Sequence, residues 1–178
     1  MLRAFSLEDK VAVVTGAAQG LGEAMAICLA KSGADVVIAD LNKELGRQVA
    51  DRINALGRQA KSFCLDVSDR DAVNGMTSQI KADFGHIDVL VNSAGLNRRY
   101  WMKDMTSEDY DLIMNVNLKG TFNTCQEIGR LMIEQGSGGS IINISSMSSM
   151  IVNRRRAVGT YCASKGGVNM LTKAFAAE

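Results

Sequence analysis

Tyr161 and Lys165 stand four residues apart in Tyr161-Cys162-Ala163-Ser164-Lys165, downstream of a serine cluster at Ser145 and Ser146. Residues i and i+4 share a helix face, so an ammonium there can lie beside a phenol. A free tyrosine, with a pKa of about 10, is a poor base at neutral pH. A nearby positive charge favours the phenolate and makes tyrosine a usable proton acceptor. On its own the pair is two neighbours on a helix; its chemistry depends on what the rest of the chain sets beside it.

A nucleotide site is the first such feature. The apolar run Val11-Ala12-Val13-Val14 leads directly into Thr15-Gly16-Ala17-Ala18-Gln19-Gly20-Leu21-Gly22 and then into the helical stretch Glu23 to Lys31. A strand, a glycine turn and a helix put unpaired N–H groups at a helix N-terminus, where a pyrophosphate can dock. Gly16 permits the tight turn, Gly20 lets the backbone approach the phosphates, and Gly22 allows close helix–strand packing. An ordinary strand-to-helix turn would not require three glycines at these places.

The next strand, 34–39, ends at Asp40. A carboxylate there can accept from both adenosine ribose hydroxyls and repels a 2′-phosphate. No Lys or Arg occupies positions 38–42, and the nearest cation is Lys43. NAD is therefore expected, with NADP the less favoured cofactor. The other reading of Asp40 is a cap for the helix over 41–56.

To hold these residues, strands are expected at 10–15, 34–39, 60–65, 87–91 and 139–145. Helices are expected at 20–32, 42–56, 69–83, 107–135 (broken near Asn115–Asn117) and 159–178. This alternation predicts an α/β fold with helices on both faces of a parallel sheet. No repeat, linker or low-complexity tract interrupts the 178 residues, a length that suits one domain.

Composition narrows the setting. Twenty Lys plus Arg against nineteen Asp plus Glu give a net charge of +1, no general pull towards nucleic acid. The first ten residues lack the apolar core of a signal peptide, and no run approaches a membrane span, so a cytoplasmic protein is expected. Cys28, Cys64, Cys125 and Cys162 are scattered without metal or redox spacing and read as reduced thiols. His86, the only histidine, reads as a loop residue, and the ten methionines read as adaptable core filling. No metal site is expected. With no proline in the chain, several loops must be shaped by glycine and side-chain hydrogen bonds.

Six markers in order (Thr15-Gly16-x-x-x-Gly20-x-Gly22, Asp66-Val67, Asn92-Ser93-Ala94-Gly95, Asn117 in Val116-Asn117-Leu118, Ser146, and Tyr161-x-x-x-Lys165) resemble the short-chain dehydrogenase/reductase family over the whole length given. The resemblance implies a Rossmann-type doubly wound parallel sheet of strand order 3-2-1-4-5. It also implies a cofactor site formed by Gly16, Gln19, Gly20, Leu21, Gly22, Asp40, Asp66, Val67, Asn92, Ala94 and Gly95, together with Tyr161 and Lys165. In it, Asp66 and Val67 would hold the adenine ring, and Asn92 to Gly95 would back the cofactor. Ser93 stands where relatives more often have asparagine or alanine.

For the chemistry, the resemblance makes Tyr161 the general acid/base and Lys165 its electrostatic partner, also bound to the nicotinamide ribose. Ser146 would orient the substrate oxygen, and Asn117 would hold a water linking Lys165 to solvent. Ser145, Ser148 and Ser149 crowd the same strand end. Ser146 is preferred because Ile141-Ile142-Asn143-Ile144-Ser145-Ser146 lines up with the family's fifth strand.

The loops resemble the branch that oxidises polyols and related sugar derivatives, such as galactitol and threitol dehydrogenases and gluconate 5-dehydrogenases. The expected substrate is a small alcohol or ketone of that class, with a 3-oxoacyl reductase-like activity as an alternative. Where such relatives commonly carry Pro-Gln after Asn153, this chain has Arg155-Arg156. If Arg98-Arg99 and Arg154–Arg156 both faced the pocket, an anionic substrate would be favoured; otherwise both are solvated loop charges.

The sequence stops at Glu178, inside the helix of Tyr161 and Lys165, where relatives continue through two more strands and a substrate lid. The expectation is thus a Rossmann domain over 1–178 that is incomplete at its C-terminus. It is either an oxidoreductase with its catalytic residues intact or a nucleotide-binding remnant with little turnover. The family's dimers pair the helix after Asn117 and the Tyr161 helix with their symmetry mates, so a homodimer or homotetramer is expected, with no nucleic-acid or membrane partner.

Overall fold

The computed structural model describes residues 5–152 and 157–178. Five strands, β1 (Val11–Thr15), β2 (Asp35–Asp40), β3 (Ala60–Cys64), β4 (Val89–Asn92) and β5 (Ser140–Asn143), form one parallel sheet of order β3-β2-β1-β4-β5. Among the described residues, six α-helices connect or flank them: α1 (Gly20–Lys31), α2 (Lys43–Asn54), α3 (Arg70–Phe84), α4 (Ser107–Met114), α5 (Gly120–Glu134) and α6 (Gly159–Ala177). Strand order and element positions agree with the sequence expectation, apart from the break expected within 107–135. The strand order reverses between β1 and β4, the place where open α/β sheets bind ligands.

The central strand explains itself. Every residue of β1 is buried, as a strand covered on both faces by helices must be. Its alternate residues enter different cores: Val11 and Val13 join Val37, Ile80, Leu90 and Ile128 on one face, while Ala12 and Val14 join Val36, Ile38, Val49 and Ile53 on the other. Register then aligns the strand ends. Thr15 sits opposite Ala39 on one side and Asn92 on the other, so the turns leaving β1, β2 and β4 emerge together.

Helix starts are fixed locally. Asn42 Oδ1 accepts from Leu45 N, Asp69 Oδ1 from Asp71 N and Ala72 N, and Thr106 Oγ1 from Asp109 N. The expected break near Asn115–Asn117 is absent: the chain stays helical from Ser107 to Glu134 and widens into a π turn over Asn115–Lys119. Such a turn takes up one extra residue without interrupting the helix, and it often marks a functional position. Among the described residues no helix is long and apolar enough to cross a membrane, and no cluster of His, Cys, Asp or Glu could hold a metal ion.

Candidate active site

The glycine turn is built as its spacing requires. Gly16 has φ +64°, and a Cβ there would lie 2.6 Å from Ala94 Cα. The turn therefore presses against the loop after β4, where Thr15 Oγ1 accepts from both Ser93 N and Ala94 N at 3.1 Å. A Cβ on Gly22 would overlap the Gly16 carbonyl, so α1 can pack on the turn only without a side chain at that position. Gly20 differs: its φ is +62°, yet a Cβ would meet nothing within 4 Å. That open space lies at the N-terminus of α1, where unpaired N–H groups and the helix dipole favour a pyrophosphate.

At the end of β2, Asp40 Oδ2 accepts from Ala18 N at 3.0 Å and Oδ1 from Asn42 N at 2.9 Å. The cap of α2 is Asn42, so Asp40 does not act as the helix cap and ties the glycine turn to β2 instead. At the end of β3, Asp66 Oδ1 accepts from the N–H and hydroxyl of Ser68, and the Val67 carbonyl accepts from Asn123 Nδ2 at 2.9 Å.

Tyr161 and Lys165 lie on one face of α6. Lys165 Nζ is 5.9 Å from the Tyr161 ring centroid and donates to the Ile144 carbonyl at 2.7 Å. Only 5% of Lys165 is exposed, and burial pushes its ammonium below the usual lysine range. Asn117, in the π turn, is fully buried: Oδ1 accepts from Leu96 N at 2.8 Å, while Nδ2 donates to Leu96 O at 2.9 Å and Ser164 Oγ at 3.0 Å. Its amide thus pins the loop after β4 to α6. Gly95 sits between the two, because a Cβ there would meet Asn117 Oδ1 at 3.2 Å and Lys165 Nζ at 3.5 Å.

These parts border one cleft of about 890 Å³, within the range of small-molecule and cofactor sites. Gly16, Gln19, Gly20, Leu21, Gly22, Asp40, Asp66, Val67, Ala94, Gly95, Tyr161 and Lys165 all line it. Three residues singled out from the sequence do not. Asn92 lies beneath the floor, where Nδ2 donates to Asn143 Oδ1 at 2.8 Å and Oδ1 accepts from Thr124 Oγ1 at 2.7 Å. Asn117 stands behind Gly95 and Leu96. Ser146 caps the 3-10 turn Met147–Ser149, its Oγ accepting from Ser148 N at 3.1 Å, while Ser145 and Ser148 line the cleft.

Four contacts were not legible in sequence. The Ile144 carbonyl is the acceptor for Lys165. Asn169 Nδ2 donates to Ser149 Oγ at 2.7 Å, and Ser149 Oγ donates to Ser146 O at 2.6 Å, so one α6 residue grips the serine turn. Tyr100 also bridges Val158, drawing the loop after β4 to the start of α6. Of the two basic segments, Arg99 lines the cleft and Arg98 lies 3.9 Å from Asp109, whereas Arg154–Arg156 fall outside the described residues.

Comparison with known proteins agrees with this architecture. A sequence profile of the family described as short chain dehydrogenase matches residues 10–178. The 2-dehydro-3-deoxy-D-gluconate 5-dehydrogenase of Escherichia coli (strain K12) is 43% identical over 178 residues, all of this chain and 69% of its own length. The D-threitol dehydrogenase of Mycolicibacterium smegmatis is 39% identical over 98% of this chain and 66% of its own length. A crystal structure of a short-chain type dehydrogenase/reductase from Mycobacterium marinum superposes with a TM-score of 0.94 at 39% identity, covering 97% of this chain and 70% of that one. The chain thus spans about two-thirds of the length of the proteins it matches.

Proposed function

Because the chain belongs to the short-chain dehydrogenase family, we propose that its cleft carries hydride between a nicotinamide cofactor and the secondary alcohol or ketone of a polyol, sugar or sugar acid. The observation that carries this reading is the meeting in one cleft of the open glycine turn and the Tyr161–Lys165 face. The named activities of the two relatives, on a deoxy-gluconate derivative and on threitol, support the substrate class.

The cofactor is NAD. Asp40 would accept from the adenosine ribose hydroxyls with lone pairs left free by Ala18 and Asn42, and its charge opposes a 2′-phosphate. Asp66 and Val67 would border the adenine, and the N–H groups around Gly20 would face the pyrophosphate. A bound nicotinamide ring would supply the hydride acceptor or donor. The remaining work belongs to the protein.

Tyr161 takes the alcohol proton in the oxidative direction and returns it in the reductive one. The Lys165 ammonium stabilises negative charge developing on the phenol oxygen, and it is held for that task by Ile144. Ser146 Oγ accepts from Ser148 N, and its O–H, not used in that bond, would orient the substrate oxygen. Asn117, its amide committed to Leu96 and Ser164, would hold a relaying water through its backbone carbonyl, which already accepts from Thr121 Oγ1 at 2.8 Å.

A second substrate reading has its own observation. Met147, Met150 and Ile151 stand exposed beside the serine turn, and Trp101 and Met102 stand exposed on the loop after β4. Such apolar surface suits the acyl chain of a 3-oxoacyl thioester. As for assembly, the groove between the π turn and α6, bordered by Leu118, Phe122, Met170 and Leu171, has a volume of about 630 Å³ and is nearly all apolar. We read it as the seat of a second copy in a homodimer.

The test is an NAD titration of the 178-residue chain, followed by NADH absorbance with polyols, sugar acids and a 3-oxoacyl thioester in the reverse direction. Turnover with a polyol or sugar acid supports the reading, and turnover with the thioester alone transfers it to the acyl class. NAD binding without any turnover leaves a nucleotide-binding remnant. Tyr161→Phe is expected to abolish turnover and spare NAD binding; equal loss of both contradicts the role given to Tyr161.

A further inference from the structure

We infer that Arg99 forms an anion subsite at the reactive end of the cleft, and that the substrate is a small polyhydroxy compound bearing a carboxylate. The inference rests on the oxidoreductase reading and narrows it to one chemical class.

Charge is divided unevenly along the cleft. Among the described residues, its only acidic lining residues are Asp40, which ends β2, and Asp66, just after β3. The end carrying Tyr161 has, among the described residues, two cations, Lys165 and Arg99, and no carboxylate. A substrate docked there meets net positive charge, which favours an anion over a neutral polyol. The two cations are not equivalent, because Lys165 is buried and held by the Ile144 carbonyl beside Tyr161, whereas Arg99 is exposed.

Two adjacent arginines have different partners. Arg98 Nε lies 3.9 Å from Asp109 Oδ1, while among the described residues no carboxylate pairs with Arg99. The loop that carries Arg99 is held in place from both sides. Asn117 bonds both the N–H and the carbonyl of Leu96, and Tyr100 bridges Val158 immediately before α6. Arg99 therefore lies between two anchors, on the Tyr161 side of the cleft. A guanidinium so placed can take a carboxylate with two parallel hydrogen bonds. It would fix the distance from the anion to the carbinol carbon, and so select which hydroxyl reaches Tyr161.

Trp101, the only tryptophan and 55% exposed, reports on this loop. With NAD saturating, its fluorescence is titrated with gluconate and with the neutral sorbitol, in the wild type and in Arg99→Gln, alongside NADH formation from each. The expected result is a Kd for gluconate about tenfold below that for sorbitol, a preference that Arg99→Gln removes while the sorbitol and NAD affinities stay unchanged. Higher ionic strength should narrow the preference, since the site is open to solvent. Equal affinity for both ligands, or a gluconate preference that survives Arg99→Gln, overturns the subsite. The readouts separate the two ideas: acid-selective binding lost in Arg99→Gln with no turnover supports the subsite and rejects the oxidoreductase reading. Turnover without acid selectivity does the reverse, and neither binding nor turnover rejects both.

Discussion

Lys165 Nζ donates to the backbone carbonyl of Ile144 at 2.7 Å, fastening α6 to the chain leaving β5. The bond sets the ammonium beside Tyr161 but takes it out of water, and burial accordingly lowers its pKa from the usual 10.5. A base with a depressed folded-state pKa costs stability while it is protonated. That cost is present below the folded pKa and disappears as pH rises through the window between the folded value and 10.5. Lys165→Met should therefore lose turnover yet unfold at a temperature no lower than the wild type at pH 7. Its advantage should shrink as pH approaches 10.5, which thermal melts across pH 7–10 would reveal. A variant markedly less stable at pH 7 would show that the Ile144 bond outweighs the desolvation.

The three glycines of the turn separate fold from binding. Gly16→Ala and Gly22→Ala press a methyl into the Ala94 backbone and the Gly16 carbonyl respectively, so both should yield little folded protein. Gly20→Ala meets no protein atom. It should fold with a loss of roughly 1–2 kcal/mol from the left-handed backbone, yet bind NAD at least tenfold more weakly, because its methyl fills the space left for the pyrophosphate. Denaturant melts beside an NAD titration check this, and unchanged NAD affinity in Gly20→Ala would refute the docking site.

Much of this was legible in sequence because its signals are local. Apolar runs marked β1 and β2, which are buried on both faces, whereas β3 carries Lys61 and Ser62 and buries only Ala60. Gly16, Gly20 and Gly22 announced a turn whose geometry few other residues allow. The i, i+4 relation of Tyr161 and Lys165 needed only a helix. What escaped the reading depends on long-range contact. Nothing near Asn169 points to Ser149, and nothing near Lys165 points to a carbonyl 21 residues earlier. The helix break expected at Asn115–Asn117 became a π turn because its surroundings use it: Asn117 reaches Leu96 and Ser164 from that widened turn. Periodicity cannot announce such a partner.

Far from the cleft, Asp88 joins the starts of β1 and β4. Its carboxylate accepts from Val11 N and Lys10 Nζ, each at 2.9 Å, and lies 3.0 Å from His86 Nε2. Burial pushes its pKa up, but the Val11 N–H, Lys10 and His86 together outweigh that and hold it below 3.8. A depressed carboxylate contributes stability above its unfolded pKa and loses it as pH falls through the folded value. Asp88→Asn should therefore be less stable than the wild type at pH 7, with the gap closing below pH 3.8. Urea melts in steps from pH 7 down through 3.8 test this, and a gap that shows no narrowing below pH 3.8 would rule out the carboxylate's charge as its source.

The serine turn offers the sharpest test of roles, because Ser146 caps it while Ser145 and Ser148 line the cleft. If Ser146 orients the substrate oxygen, Ser146→Ala should lower kcat by about 100-fold, beyond the ~1 kcal/mol of stability expected from loss of a cap. Ser148→Ala should change kcat less than Ser146→Ala. Asn169 decides whether the turn must be held in place. Asn169→Leu removes the donor to Ser149 Oγ without touching the cleft, and it should lower kcat on the order of tenfold through misplacement. The Kd for NAD should not change, and Asn169→Gln should restore part of the loss. A purely structural Asn169 would lower the melting temperature and leave kcat intact. A larger kcat loss in Ser148→Ala than in Ser146→Ala would move the orienting hydroxyl to Ser148, which already faces the cleft.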